Sequence, residues 1–168
     1  MSEDRKQYRV GIITASDKGS KGEREDISGK TIMEIAKENG YITESYSVLP
    51  DERDLLENEM KRLCDGGQID LLLTTGGTGL SPRDCMPEAT IAIAERLVPG
   101  IAEAIRQNSM SITKRAMLSR GVSAVRKKTL IINLPGSPKA VRESLAYIIS
   151  ELAHGLDILT GRDGECAR

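Results

Sequence analysis

Four short strand-like runs separated by helix-like stretches limit the folds open to this chain of 168 residues. The runs span residues 8–14, 41–49, 69–75 and 129–134, and each has the length and composition of a β-strand. The third run is apolar almost throughout, which is typical of a strand covered on both faces. Strands that alternate with helices predict an α/β fold, a three-layer sandwich with a mostly parallel central sheet.

Helical patterns fill most of the sequence between these runs. Helices are predicted at residues 28–39, 50–65, 87–97 with a continuation to 108, and 137–156. The first is predicted to begin with Ser28 as its N-cap.

The apolar stripe of the second helix is predicted from residues at helical spacing, Leu55, Leu56, Met60 and Leu63. Residues 16–26 are polar and glycine-rich and are predicted as a long loop. Residues 107–128 contain six basic and no acidic residues, which fits either a solvated loop or a rim that collects anions.

Charge and hydropathy exclude several classes of partner. With 24 basic and 25 acidic residues and neither Trp nor Phe, the chain lacks the basic excess and stacking aromatics of nucleic-acid binders. No apolar run approaches the roughly 20 residues of a membrane helix. Residues 1–6 are polar and have no signal-peptide core. We expect a cytoplasmic protein with no membrane or nucleic-acid partner, folded as one domain over residues 1–168.

The few cysteines and the single histidine exclude further chemistry. Cys64, Cys85 and Cys166 are odd in number and form no CxxC motif, so free thiols in a reducing compartment are expected. His154 alone cannot build most histidine zinc sites, and it makes a Ser-His-Asp triad a poor expectation. We predict a structural or solvent-facing role for it.

Ligands of open α/β sheets bind at the carboxyl ends of the strands. This rule selects the segments 16–29, 50–54, 76–84 and 135–138. Residues 76–79, Gly-Gly-Thr-Gly, directly follow the third apolar run and would let several backbone N–H groups approach an anion. The segment is neither a Walker loop nor a dinucleotide fingerprint. An ordinary tight turn between strand and helix is the alternative.

Two aspartates follow predicted strands. Asp84 and Asp51 each suit a helix N-cap, but each also suits a Mg²⁺ ligand, because Mg²⁺ takes one or two carboxylates together with substrate phosphates. Arg83, next to Asp84, is a candidate phosphate contact. Gly136 and the helix start at Ser137 offer another anion site, with an ordinary N-cap as the alternative. These residues predict a domain that handles a phosphorylated small molecule with Mg²⁺.

Several motifs together resemble one family. Residues 74–84, TTGGTGLSPRD, are similar to the TGGTG…RD signature of the molybdopterin adenylyltransferases, which include the MogA and MoaB proteins and the G domain of gephyrin. Residues 130–138, LIINLPGSP, resemble the second signature of that family. Residues 116–120, 12–17 and 26–29 also match, and the likeness covers about residues 8–159.

The resemblance implies a MogA-like fold, a homotrimer or, as in some MoaB proteins, a hexamer, and a possible hand-over to a molybdenum insertase. It implies transfer of AMP from Mg-ATP to molybdopterin with release of pyrophosphate. Asp51 and Asp84 match the two aspartates that are essential in the family, and we expect them to be catalytic and to bind Mg²⁺. The expected substrate-binding residues are Ser16, Asp26, Ser28, Gly29, Thr75, Gly76, Gly77, Thr78, Gly79, Arg83, Ser119, Asn133, Pro135, Gly136 and Ser137.

One position departs from the family pattern. Met86 stands where the family usually has a Thr that caps the next helix, and a Met side chain cannot cap. Asp84 is the candidate replacement cap, a role that would compete with metal binding.

Three alternatives differ in the features they require. The MoeA-type insertases and CinA-type proteins have other glycine loops and longer chains. A P-loop NTPase needs a lysine-bearing loop that is missing here. A non-catalytic molybdopterin-binding or scaffold protein of the MoaB type stays open, as does the choice between the MogA and MoaB subgroups.

Overall fold

The computed structural model describes residues 7–162. The strands are β1 Arg9–Ala15, β2 Ile42–Leu49, β3 Leu71–Thr75, β4 Arg96–Leu97, β5 Ser123–Arg126 and β6 Thr129–Leu134. The α-helices are α1 Asp17–Ser20, α2 Ile27–Glu38, α3 Arg53–Asp65, α4 Met86–Ile93, α5 Pro99–Met110 and α6 Pro138–Thr160. A 3₁₀ helix spans Lys114–Leu118.

One sheet joins all six strands in the order β2-β1-β3-β6-β5-β4. β2, β1, β3 and β6 are parallel, whereas β5 runs antiparallel to β6, and β4 runs antiparallel to β5. The prediction of an α/β fold with a mostly parallel sheet is therefore confirmed.

Two apolar layers cover the faces of the sheet, because successive residues of a strand point to opposite faces. Leu71 and Leu73 of β3 pack into one cluster with α2, α5 and α6. Leu72, between them, packs into the other cluster with α3 and α4. All three leucines are fully buried. This arrangement gives the predicted three layers and directs the carboxyl ends of β1, β2, β3 and β6 to one edge.

Several element boundaries differ from the sequence prediction. The segment 16–26 is wrong as a continuous loop, because Asp17–Ser20 forms a helical turn in which the Ser16 hydroxyl accepts a hydrogen bond from the Gly19 N–H. The predicted N-cap Ser28 is also wrong. The Asp26 carboxylate caps α2 by accepting from the Gly29 N–H at 2.9 Å, and Ser28 lies inside the helix.

The second half of the chain contains strands that the sequence prediction missed. α4 ends at Ile93 instead of residue 97, and Arg96–Leu97 pairs with β5 at the edge of the sheet. Residues 107–128 include β5 as well as the 3₁₀ helix, so they are not one solvated loop. Arg126 forms an ion pair with Asp65.

Smaller predictions have mixed outcomes. The prediction that Leu55 belongs to the apolar stripe of α3 is wrong. Leu55 lies in the first turn of this helix, which starts at Arg53, and its side chain is 48% exposed. Cys64 and Cys85 are free thiols, and burial raises the pKa of the Cys64 thiol to about 12, whereas Cys166 lies outside the described residues. His154 is exposed, as predicted. Within residues 7–162, none of the helices combines the length and apolarity needed to cross a bilayer.

Candidate active site

The loops that follow β1, β2, β3 and β6 line a cavity of about 620 Å³ at the carboxyl edge of the sheet. We call it the first cavity. It brings together ten of the predicted site residues, Ser16, Asp26, Ser28, Asp51, Thr75, Gly76, Gly77, Asp84, Gly136 and Ser137. The parallel order of the four strands is the reason, since it places segments distant in sequence at one edge.

A second cavity of about 440 Å³ adjoins the first. Its lining includes the predicted residues Thr78, Gly79, Ser119 and Pro135, and side chains of α5, α6 and the 3₁₀ helix close its far side. Gly77, Asp84 and Gly136 line both cavities. Two ligands could therefore meet at this common wall.

The glycine loop, residues 76–79, is built so closely that side chains would obstruct it. Gly76 and Gly77 have φ angles of 85° and 70°, a region that favours glycine. A Cβ added at Gly76 would lie 2.3 Å from the Ala15 carbonyl oxygen, and one at Gly77 would lie 3.3 Å from Oδ1 of Asp51. The loop therefore presents bare backbone to the cavities beside a carboxylate.

Asp51 is held by a reciprocal pair of hydrogen bonds with Asp17. The Asp17 N–H donates to Oδ2 of Asp51 at 3.1 Å, and the Asp51 N–H donates to Oδ1 of Asp17 at 3.0 Å. Asp51 does not cap α3, which begins at Arg53 with Glu52 at the N-cap position. The alternative interpretation of Asp51 as a helix cap is therefore wrong, and its carboxylate faces the first cavity.

The pKa values of these two carboxyl groups are shifted in opposite directions. Burial raises the pKa of Asp51, and the negative charges of Asp17 and Asp84 raise it further. The hydrogen bond from the Arg83 guanidinium lowers the pKa of Asp17. Ionisation therefore costs more free energy at Asp51 than at Asp17. A cation beside Asp51 would offset that cost.

Asp84 lies across the glycine loop from Asp51. Its Oδ2 accepts a hydrogen bond from the Ser81 N–H at 2.9 Å, and a Cβ at Gly79 would come within 2.8 Å of the same oxygen. The expectation that Asp84 replaces the missing cap of α4 is wrong. Cys85 holds the N-cap position without a side-chain hydrogen bond.

Met86 is buried at the uncapped start of α4. Its side chain is fully buried in the cluster beneath α3 and α4, and its N–H donates to the Gly77 carbonyl at 3.1 Å. The backbone of Met86 therefore links the start of α4 to the glycine loop, and Asp84 lies at the cavity wall.

Three predicted site residues line neither cavity, Gly29, Arg83 and Asn133. Arg83 forms ion pairs with Asp17 and Glu52, both at 2.8 Å. Asn133 is buried, and its amide donates to the hydroxyls of Thr74 and Thr90 while its oxygen accepts from the Val122 N–H. Asn133 therefore connects β6 to β3 and α4 inside the protein, whereas Arg83 forms its ion pairs at the surface.

Other predicted residues make contacts that shape the first cavity. Ser28 donates to the Gly136 carbonyl at 2.7 Å, and Thr75 donates to the Pro135 carbonyl at 2.6 Å. Ser137 caps α6 by accepting from the Ala140 N–H, so its interpretation as an N-cap is confirmed. Ser137 also lines the first cavity, where the start of α6 is available to an anion.

Sequence reasoning missed several residues of this edge. Asp17 belongs to the segment 12–17 that resembles the family, but its role depends on a partner 34 positions away. Lys18 and Arg24 line the first cavity, and their positions in the segment 16–26 were the available signal. Arg115 of the second cavity belongs to the basic stretch 107–128, so part of that stretch does lie at a ligand-sized cavity.

The site contains donors for a metal ion without forming a closed cage. Within residues 7–162 no group of three or more His, Cys, Asp or Glu side chains is arranged to hold a metal. Asp51 and Asp84 nevertheless line the same cavity, and the charge of Asp84 raises the pKa of Asp51. Two carboxylates with room for further oxygen ligands fit Mg²⁺ that binds together with a phosphate-bearing ligand.

Comparisons with known proteins identify the family of this chain. Residues 11–154 match the model of the family described as "Probable molybdopterin binding domain". The molybdopterin adenylyltransferase of Helicobacter pylori strain J99 is 42% identical over 156 residues, covering 90% of this chain and 88% of the relative. The enzyme of the same name from Escherichia coli K12 is 39% identical over 140 residues, covering 82% of this chain and 71% of the relative.

A solved structure extends the comparison to the whole fold. The molybdopterin biosynthesis enzyme MoaB from Thermus thermophilus superposes with a TM-score of 0.87 at 46% identity, covering 92% of this chain and 98% of that chain. Since the family model and these relatives span most of the sequence, this protein belongs to the molybdopterin-binding domain family that includes the molybdopterin adenylyltransferases.

Proposed function

We propose that this protein transfers AMP from ATP to molybdopterin and releases pyrophosphate. The observation that carries the proposal is the pair of adjoining cavities with a common wall of Gly77, Asp84 and Gly136. A group transfer between two bound molecules needs such an arrangement, because the reacting phosphates must meet within one site.

In this reaction the terminal phosphate of molybdopterin attacks the α-phosphorus of ATP. A new bond forms between that phosphate oxygen and the α-phosphorus, and the bond from the α-phosphorus to the bridging oxygen breaks, so that pyrophosphate leaves. Reactions of this kind depend mainly on positioning and on neutralising charge.

The chain supplies groups for both tasks. The amides of the glycine loop orient phosphate oxygens, and the start of α6 adds the positive end of its helix dipole. Lys18 and Arg24 contribute positive charge at the first cavity. Asp51 and Asp84 would hold Mg²⁺, which when bound neutralises the charge that develops on the phosphates.

The test measures pyrophosphate release from Mg-ATP and purified molybdopterin by the wild type and by Asp51→Ala and Asp84→Ala. Removal of one electrostatic group at a reacting centre costs about 10²–10³ in rate, and we expect losses of that order in both variants. Asp54→Ala is the matched control, since Asp54 is exposed on α3 and lines neither cavity.

Circular dichroism and thermal unfolding establish that each variant folds. A folded wild type that releases no pyrophosphate, while a known molybdopterin adenylyltransferase does so on the same substrates, would contradict the proposal. It would then favour the MoaB-type binding or scaffold role.

We propose further that the protein assembles as a homotrimer, with a hexamer as the alternative. Large apolar side chains that are half exposed or more are consistent with association, among them Leu80, Ile91, Leu97, Ile112, Met117 and Leu118. Sedimentation velocity at several concentrations distinguishes trimer from hexamer, and a monomer throughout would contradict both.

The cellular setting completes the proposal. Free Cys64 and Cys85 fit the reducing cytoplasm, where we place the reaction. The adenylylated product would pass to a molybdenum insertase. Incubation of the product-loaded protein with such an insertase and molybdate would test this step, and AMP release is the expected result.

A further inference from the structure

Arg120 connects the two ends of the segment that carries Asp84. Its Nε donates to the Gly79 carbonyl at 2.8 Å, and its Nη2 donates to the Asp84 carbonyl at 3.0 Å. The backbone N–H of Arg120 also donates to the Thr78 carbonyl at 2.9 Å. Arg120 thus bonds both to the glycine loop and to Asp84, which lines the cavities beyond it.

The remaining guanidinium nitrogen fastens this arrangement to α4. Nη1 of Arg120 pairs with the carboxylate of Glu88 in the first turn of that helix. Burial alone would raise the pKa of the Glu88 carboxyl, but the hydrogen bond and the charge of Arg120 bring this pKa below its usual value. Glu88 therefore stays ionised and holds the guanidinium plane in place.

Arg120 itself is not part of the cavity walls. It lines neither cavity, although its neighbour Ser119 lines the second. Its donors point at backbone carbonyls and at Glu88, behind the wall that Gly79 and Asp84 present. An effect of Arg120 on the reaction would consequently be exerted through the position of Asp84.

Asp84 and the glycine loop lie in close contact. A Cβ on Gly79 would lie 2.8 Å from Oδ2 of Asp84, so the loop and the carboxylate are close enough that a small shift of either changes the wall of both cavities. Displacements of about 1 Å in a reacting site can cost about 10²-fold in rate.

We propose that Arg120 is a positioning residue for adenylyl transfer, which fixes Asp84 against the glycine loop through its bonds to the Gly79 and Asp84 carbonyls. The inference rests on the proposed function. It requires the planar, directional donors of a guanidinium, and positive charge alone is not enough.

Two substitutions separate geometry from charge. Arg120→Lys keeps the charge and the pairing with Glu88, and Arg120→Gln keeps a planar amide donor without the charge. The Gln amide has only two N–H donors, and the three donors of Lys leave from one atom, whereas the bonds of Arg120 leave from three nitrogens spread over the guanidinium plane. We expect kcat for pyrophosphate release to fall about tenfold or more in both variants, with KM for ATP within about twofold of the wild type.

Arg126→Lys is the matched control. Arg126 also makes three side-chain hydrogen bonds, two to Asp65 and one to the Ile93 carbonyl, but it lies on β5 away from both cavities. A purely structural role for Arg120 predicts that Arg120→Lys and Arg126→Lys lower stability and kcat alike. The positioning role predicts that kcat falls only in the Arg120 variants.

Hydrogen exchange measured by mass spectrometry provides a readout that needs no activity. We expect faster exchange in peptides that cover residues 79–88 in Arg120→Lys, and no change there in Arg126→Lys. Unchanged kcat and unchanged exchange in the folded Arg120 variants would overturn the inference. If the wild type releases no pyrophosphate, the proposed function fails, and the exchange data still decide whether Arg120 fixes this segment.

Discussion

At the scale of single residues, the site concentrates negative charge where a nucleotide would add more. Asp17, Asp51 and Asp84 all line the first cavity. Arg83 forms its ion pairs with Asp17 and Glu52, whereas burial and its acidic neighbours raise the pKa of Asp51. The raised pKa of Asp51 means that its ionised form is less favourable in the folded, ligand-free protein than in an unfolded chain, and such local costs are common at functional residues.

We predict that Asp51→Asn stabilises the ligand-free fold near neutral pH and lowers pyrophosphate release about 10²–10³-fold. Because the pKa of Asp51 is higher in the folded state than its ordinary value of 3.8, the contribution of Asp51 to stability falls as pH rises from 3.8 to the raised pKa. The advantage of Asn should be full above the raised pKa and should vanish as pH falls below 3.8.

Denaturant unfolding of both proteins between pH 3 and 8 measures this difference. Asp54→Asn, at an exposed position three residues along the chain, should show no comparable gain. A destabilised Asp51→Asn at neutral pH would show that the hydrogen bonds with Asp17 outweigh the cost of the buried charge.

We expect substitutions of two glycines in the loop to have different effects, one on stability and one on activity. Gly76→Ala should destabilise the fold by more than the roughly 1–2 kcal/mol of a left-handed non-glycine residue, because its Cβ would also meet the Ala15 carbonyl at 2.3 Å. Gly22→Ala is the control for conformation alone, since Gly22 has a φ of 72° and open space around it.

Gly79→Ala should instead spare stability and impair activity. Its Cβ would meet only the end of the Asp84 side chain, which can move aside but would then leave its place at the cavity wall. Thermal unfolding combined with the pyrophosphate assay compares the three variants. Equal losses of stability in Gly76→Ala and Gly22→Ala would mean that the close approach to Ala15 costs nothing.

The limits of sequence reasoning are clearest for these residues. Asp51 and Asp84 could be singled out because each follows an apolar run and belongs to a short motif. The part played by Arg120 could not, because it depends on contacts with Gly79 and Asp84, which are 41 and 36 positions away. A one-dimensional pattern contains no signal for partners brought together by the sheet.

At the scale of elements, the apolar strands β1, β3 and β6 were predictable, whereas the short strands β4 and β5 were not. β6 spans Thr129–Leu134, the predicted run, because its apolar composition alone defines it. β5 contains Ser123 and Arg126 and exists through its antiparallel pairing with β6. The turn between them is formed by Lys127 at a φ of 53°, without the Asn-Gly or Asp-Gly pair that usually marks a hairpin.

The uncapped start of α4 yields a prediction at this scale. Met86→Ala should lower the free energy of unfolding by about 2–5 kcal/mol, because it opens a cavity beneath α3 and α4 where the helix has no capping side chain. Met110→Ala on α5 is the control, since Met110 is 42% exposed. Urea unfolding measures both, and equal small losses would show that packing of Met86 does not replace the cap.

At the scale of the whole molecule, four parallel strands place the active edge and two antiparallel strands extend the sheet away from it. The α/β class and the edge that binds ligands follow from the alternation of runs and helices in the sequence. The second cavity does not, because its walls combine the glycine loop with α5, α6 and the 3₁₀ helix, whose arrangement only the packed chain defines.

The wall that the two cavities have in common makes the affinities of their ligands interdependent. A ligand on one side of Gly77 and Asp84 fixes the backbone and the charge that a ligand on the other side meets. By thermodynamic linkage, the factor by which ATP changes the Kd of molybdopterin must equal the factor by which molybdopterin changes the Kd of ATP.

In metal-free buffer, where no turnover is expected, two phosphate-bearing ligands beside these carboxylates should each weaken the binding of the other. Calorimetric titrations in both orders would show one reciprocal factor, and independent affinities would mean that the wall transmits nothing between its two faces.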